Sequence, residues 1–238
     1  MQKYTFSQRS IFSIPGIPLA YWLSSDILKS FSHKKVSNYS YNKAGVVSGD
    51  DDYFIRFWYE PNFIDINKHR STYPNYSKYH IFCKGGDFRR YYGNYLHVIK
   101  LSDLYNNEFA NKSIRRGDKD SYFKKCITWS IIGSSSVKSF RCVENSICGT
   151  ASPAIYILDE TNLLYILGLL NSKFGELIIN SINPTLNLQS SNVGKVPMLL
   201  DTDHYKIIDD LVRENVRLCK DDWDSSELSI DFQKHPLI

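Results

Sequence analysis

The sequence predicts an α+β fold, a twisted and mostly antiparallel sheet system edged by a few helices. Three observations carry that reading. Between residues 45 and 143, short apolar runs rich in aromatic and β-branched residues alternate with Gly, Asn, Asp and Ser turns. After residue 158 the apolar spacing lengthens from alternation to every third or fourth residue, the helical period. The chain of 238 residues, 42% hydrophobic and 14% aromatic, is long enough to bury a sizeable core, which excludes a disordered tail, a collagen-like fibre and a disulfide miniprotein.

Each element follows in order. Ile14-Pro15-Gly16-Ile17-Pro18 is a rigid extended or turn segment, because each proline disfavours the helical region in the residue before it. Leu19, Trp22, Leu23, Ile27, Leu28 and Phe31 then predict a short helix over residues 19–31. Strands are expected at residues 45–47, 53–59, 79–82, 96–99, 126–131 and 139–143. Leu163, Ile166, Leu167, Leu170, Phe174, Leu177 and Ile178 trace one face of a helix over residues 160–180, with Thr161 as N-cap and Asn183-Pro184 as its end. A second helix over residues 202–220 is expected to turn Ile207, Ile208, Leu211, Val212 and Leu218 toward the core. The acidic residues 221–231 read as a solvated surface connector.

Charge is distributed unevenly. Residues 1–150 carry 22 Lys and Arg against 12 Asp and Glu, whereas residues 151–238 carry 7 against 13. Such asymmetry is the footprint of one face meeting a polyanion, although a dipolar surface without a ligand has the same counts. The five cysteines (Cys83, Cys126, Cys142, Cys148, Cys219) form an odd set without a C-x-x-C pair, so free thiols in a reducing compartment are expected. No signal-peptide core or uninterrupted membrane span is present, and a cytoplasmic protein with no membrane partner is the expectation.

Catalytic and metal-binding patterns are missing from the sequence. Lys84-Gly85-Gly86-Asp87-Phe88-Arg89-Arg90 has neither dinucleotide nor P-loop spacing, the six histidines show no H-x-x-x-H pair, and no serine sits in a G-x-S-x-G elbow. Asp50-Asp51-Asp52 reads as a turn rather than a Mg²⁺ or nuclease site. The expectation is therefore no catalytic residue, no metal and no cofactor in this chain.

What remains is basic residues interleaved with aromatics. Lys84, Arg89, Arg90, Tyr91 and Tyr92 share a loop with Gly85, Gly86 and Gly93, where a backbone can approach a phosphate and an Arg fork can reach phosphate or guanine. A second stretch holds Lys112, Arg115, Arg116, Lys119, Lys124 and Lys125, followed by Trp129, Lys138 and Arg141. A solvated surface, with the tyrosines partly in the core, is the bland counterpart.

Several motifs occur together. Residues 14–22 and the run Gly45-Val46-Val47-Ser48-Gly49-Asp50-Asp51-Asp52-Tyr53-Phe54-Ile55-Arg56-Phe57-Trp58 are followed by Lys84 to Asn94, Gly168-Leu169-Leu170-Asn171-Ser172-Lys173, residues 183–189 and Val193-Gly194-Lys195-Val196-Pro197. The series closes with Asp222-Trp223-Asp224-Ser225 through Asp231-Phe232-Gln233-Lys234-His235-Pro236-Leu237. In that order they resemble the target-recognition region of PglX, the adenine-specific DNA methyltransferase family of BREX phage-defence systems, and more broadly TaqI-like recognition domains. The family's S-adenosylmethionine loop and catalytic Asn-Pro-Pro-Tyr do not occur; Asn183-Pro184-Thr185-Leu186 lacks the second proline and the aromatic.

The resemblance implies a specificity half separated from its catalytic partner, with S-adenosylmethionine held on that partner. Residues 1–200 are expected to form the DNA target-recognition domain, and residues 201–238 a helix and acidic extension packing on it or on the rest of the parent chain. The expected double-stranded DNA contacts are Lys84, Gly85, Gly86, Arg89, Arg90, Lys112, Arg115, Arg116, Lys124, Lys138, Asn187 and Gln189, the last two for their amides. A basic face also suits a protein-interaction module that docks other defence-system subunits or a phage-encoded DNA mimic. Trp22, Trp58 and Trp129 are expected in the core, and the acidic end is expected to lie away from the basic loops.

Overall fold

The computed structural model describes residues 12, 14–67, 78–105, 113–133, 137–235 and 237. Lys112 lies outside them. Two sheets stack between a helical layer and a layer of loops and short helices. The first sheet is antiparallel throughout, with order β1-β9-β6-β7: β1 is Ser40–Asn42, β6 Cys126–Thr128, β7 Arg141–Val143 and β9 Ala154–Ile157. The second has order β2-β5-β4-β3, with β2 Ile55–Phe57, β3 Ile66–Asn67, β4 Tyr79–Cys83 and β5 His97–Lys100; β8, Ile147–Cys148, pairs with β4. β3 and β8 pair in parallel with β4, and the other strand pairs among the described residues are antiparallel.

Strand alternation explains the layering. In β6 and β9, Ile127, Ile155 and Ile157 face the helices, whereas Cys126, Ala154 and Tyr156 face the second sheet. In β4, Tyr79, Ile81 and Cys83 face the first sheet, and Phe82 faces the outer layer with Phe54, Ile99 and Leu104. All five cysteines are free, and four are buried. Burial pushes the Cys142 thiol up to about 12.

Several expected elements are redrawn. The first helix, α1, is Ser25–Ser30, because the Ser24 hydroxyl accepts from the Ile27 amide and starts it there. Residues 19–23 precede the helix, and Trp22 is 48% exposed, not in the core. Tyr53 and Phe54 belong not to a strand but to a helical turn, α2 at Asp51–Phe54. The Asp50 carboxylate caps this turn by accepting from the Tyr53 amide at 3.1 Å. Residues 45–47 make only single bridges, Val46 to Gly149 and Val47 to Arg115. A further short helix, α3, is Leu101–Leu104.

The predicted helix over residues 160–180 is two helices, α4 at Leu163–Asn171 and α5 at Lys173–Ile182, bent by 72°. Ser172 makes the break: its backbone is extended, and its hydroxyl accepts from the Gly175 amide as the N-cap of α5. Asp159, not Thr161, caps the turn before α4. Asn171 is buried and clamps β7: its Oδ1 accepts from the Phe140 amide, and its Nδ2 donates to the Phe140 carbonyl. Among the described residues no single helix is long and apolar enough to cross a membrane.

A short turn, α6 at Ser190–Val193, leads to the last helix, α7, at Tyr205–Asp224. Helix α7 packs on α4 where Gly168 leaves room for Val212; a Cβ at Gly168 would stand 2.6 Å from Val212 Cγ2. This contact selects which apolar face goes inward. Ile208, Val212, Val216 and Trp223 point in, so Ile207, Leu211 and Leu218, a neighbouring stripe, are exposed instead of buried. The run from Asp221 is no solvated connector either: its first residues complete α7, and Trp223, Ser229 and Ile230 are buried.

Candidate nucleic-acid interface

The loops converge on one face through close backbone contacts. The turn at residues 45–49 touches Gly149 and Thr150 on one side and Ser113 and Ile114 on the other, and the Val47 and Arg115 amides and carbonyls exchange hydrogen bonds at 2.8 and 2.9 Å. Lys84 reaches the same turn, pairing with Asp51 at 2.9 Å. Burial alone raises the Asp51 carboxyl, but hydrogen bonds from Lys84 and Ser48 outweigh it and hold it below the usual carboxylate range.

From Lys84 the face continues inward. Gly85 lies against Ala151 and Ser130, and the Ser130 hydroxyl donates to the Gly86 carbonyl at 2.9 Å. The neighbouring segment bridges Ile132 to Asn187, and Leu188 donates to the Ile131 carbonyl. Gln189 donates from Nε2 to Asn187 Oδ1 at 3.0 Å. Two grooves flank residues 130–133. One, of about 320 Å³, is lined by Asn42, Lys43, Thr150, Gln189 and Ser190; the other, of about 270 Å³, by Gly86, Phe88, Ile132 and Lys138. The segments that carry Lys84, Gly85, Gly86, Arg115, Asn187 and Gln189 are thus linked by a relay of loop contacts.

The other sequence-predicted residues are engaged in contacts within the chain or stand apart from this cluster. Lys138 is 7% exposed, and its ammonium donates to the Leu186 carbonyl at 3.0 Å, so at the wall of the second groove it braces the Asn187 loop. Burial lowers its pKa. Arg141 is buried at 1% exposure beside Cys83, Tyr95 and Cys148, again not on the surface. Arg116 donates from Nε to the Leu104 carbonyl at 2.7 Å, and its guanidinium lies 5.1 Å from the centre of the Tyr105 ring; Lys119 sits 4.1 Å from the same ring. Lys124 is exposed on the turn before β6.

Arg89 and Arg90 sit at the far end of the loop, against the acidic part of the chain. Arg89 pairs with Asp222 and lies over the Trp223 ring at 5.2 Å, and Arg90 pairs with Glu176 at 3.6 Å. The expected separation of acidic end and basic loop is therefore overturned at this point. Gly93, at φ 115°, makes the contact possible: a Cβ there would meet the Trp223 ring at 3.1 Å.

Sequence reasoning passed over one feature. Phe57, Tyr59 and His97 form a surface ring stack, with centroids 5.3 Å apart for Phe57 and Tyr59 and 4.9 Å for Phe57 and His97. The alternation of β2 opposite β5 could have found it, since Phe57 and His97 are cross-strand partners. Burial, then the charge of Lys84, holds the His97 imidazole below its ordinary value.

Comparison with known proteins places these features in context. No family model matches the chain. It is 28% identical over 233 residues to the adenine-specific methyltransferase BrxX of Escherichia coli O9:H4 (strain HS), covering 97% of this chain and 19% of that protein. It is 26% identical over 253 residues to the adenine-specific methyltransferase PglX of Lacticaseibacillus casei (strain Zhang), covering 99% of this chain and 20% of that protein. The chain spans about a fifth of the length of these curated relatives, and over nearly its whole length it is similar to one region of the BrxX and PglX adenine-specific methyltransferases.

Proposed function

We propose that this chain recognises double-stranded DNA for an adenine-specific methyltransferase of a phage-defence system and is itself non-catalytic. One observation carries the reading: the chain aligns from end to end with a fifth of two such enzymes while containing no methyl-donor loop and no Asn-Pro-Pro-Tyr. A methyltransferase that flips an adenine out of the duplex needs separate groups to fix register on the phosphates and to read base edges. The loop face supports that division of labour. Lys84 and Arg115 supply charge at its rim, and Asn187 and Gln189 supply amides suited to an adenine edge.

Residues 1–200 then act as the reading module, with residues 201–238 as its buttress. The partners are duplex DNA and the catalytic domain of the parent chain, on which S-adenosylmethionine would bind. The test is a duplex titration across salt concentrations. Contact of Lys84 and Arg115 with about two phosphates predicts a log–log slope near −1.8, and a flat salt dependence overturns the reading. Calorimetry with S-adenosylmethionine should show no binding to this chain, and micromolar affinity would overturn the non-catalytic assignment.

A second reading, a docking module for other defence-system subunits, is favoured by the exposed stripe of Ile207, Leu211 and Leu218 on α7. It predicts capture of a protein partner with no salt-sensitive affinity for duplex.

A further inference from the structure

Features that a fold ordinarily avoids meet at one place, the junction of residues 84–94 with the last turn of α7. Tyr91 and Asn94 hold φ of 65° and 64° although neither is glycine. Trp223 is 3% exposed, yet among the described residues its indole Nε1 finds no hydrogen-bond partner, and the buried Nε of Arg90 is orphaned in the same way. Orphaned buried donors and strained backbone are costly, and they persist where function demands the arrangement.

The arrangement is built around Arg89. Its guanidinium lies over the Trp223 ring, and one nitrogen, Nη1, is held by Asp222. The ring and the carboxylate thus hold the guanidinium from two sides. The side chain is still 37% exposed, so its remaining donors stay open to a ligand. Asp222 is 68% exposed, and an ion pair that open to solvent contributes little to stability.

We propose that the last turn of α7 belongs to the reading surface, with Asp222 and Trp223 as positioning residues that hold Arg89 ready for a phosphate or a guanine edge of duplex DNA. This rests on the DNA-recognition reading above. It also gives the acidic end of the chain a direct part in binding, where its charge alone would repel DNA.

The test measures affinity of the full chain for a randomised-sequence duplex, with wild type, Asp222→Asn, Asp222→Glu, Trp223→Phe, Arg89→Ala and the Arg89→Ala/Asp222→Asn double variant. Removing a negative charge near DNA by itself tightens binding. Positioning predicts the reverse: Asp222→Asn and Trp223→Phe each weaken binding about threefold to tenfold, and Asp222→Glu restores most of the loss. The double variant binds no more weakly than Arg89→Ala alone. If Arg89 meets a phosphate, Arg89→Ala lowers the salt slope by about one; if it meets a guanine, the slope holds and sequence selection from the pool is lost.

Tighter binding by Asp222→Asn would show that the carboxylate competes with DNA, and unchanged binding would show an idle surface pair; either overturns the proposal. Wild type without salt-sensitive affinity for duplex overturns the DNA reading itself. Wild type that binds while Asp222→Asn makes no difference overturns only the positioning role.

Discussion

Trp129 and Trp22 are the same residue in opposite circumstances. Trp129 is 1% exposed, packs against Phe140 and donates its indole N–H to the Leu188 carbonyl at 2.8 Å. Trp22 is half out in solvent beside Tyr21. Trp129→Ala should therefore cost about 3–5 kcal/mol, and Trp22→Ala should stay within about 0.5 kcal/mol of wild type; urea unfolding midpoints check both. The sequence reading puts both in the core as large apolar anchors, and that ground holds for Trp129, which continues the buried strand β6, but not for Trp22. Trp58 was not legible in the same way: it is half-buried, and its indole N–H donates to Leu228, a partner that no local pattern announces.

His97 offers a pH test at the same scale. Its folded pKa lies below the ordinary 6.5, with burial the larger cause and Lys84 the next, so the fold favours the neutral ring. Stability from this group is fully present above the unfolded value and is lost as pH falls through the lower folded value. Lowering the pH from about 7 to about 5 should destabilise wild type more than His97→Phe, which keeps a ring against Phe57 and cannot titrate. Equal losses in thermal melts would show that His97 does not contribute.

At the scale of elements, the bend between α4 and α5 rests on one hydroxyl. Ser172→Ala removes the acceptor for the Gly175 amide and should cost about 1 kcal/mol, read from the urea midpoint. The apolar period runs through residues 163–178 without a gap, so the sequence shows one helix, and only the cap at Ser172 reveals two. The inward face of α7 was hidden for a similar reason. Ile207, Leu211 and Leu218 form as good a stripe as Ile208, Val212 and Val216, and the choice between them is made by the notch at Gly168 on another helix. Filling that notch with Gly168→Leu should overpack the α4–α7 contact and cost about 1–3 kcal/mol, measured the same way.

At the scale of the molecule, local pattern reached the α+β class and the loops that carry Lys84, Arg115 and Asn187, because alternation and turn residues are short-range signals. It could not reach the pairing of Arg89 with Asp222, which joins distant parts of the chain and brings the acidic end onto a basic loop. Truncation after Leu200 tests what that end does. The removed segment carries ten acidic against five basic residues, so charge alone predicts tighter DNA binding without it. The packing predicts otherwise: removal strips Val212 from Gly168, Trp223 from Gly93 and the half-buried Tyr92 of its neighbour Lys220, and it leaves Arg89 without ring or carboxylate. The truncated chain should aggregate or lose cooperative melting, with no gain in duplex affinity, as size-exclusion chromatography, circular dichroism and anisotropy would report. A truncated chain that melts cooperatively and binds duplex tenfold tighter would instead identify the acidic end as a cover over the basic loops, because only a contact that occludes them can be removed with gain and without structural cost.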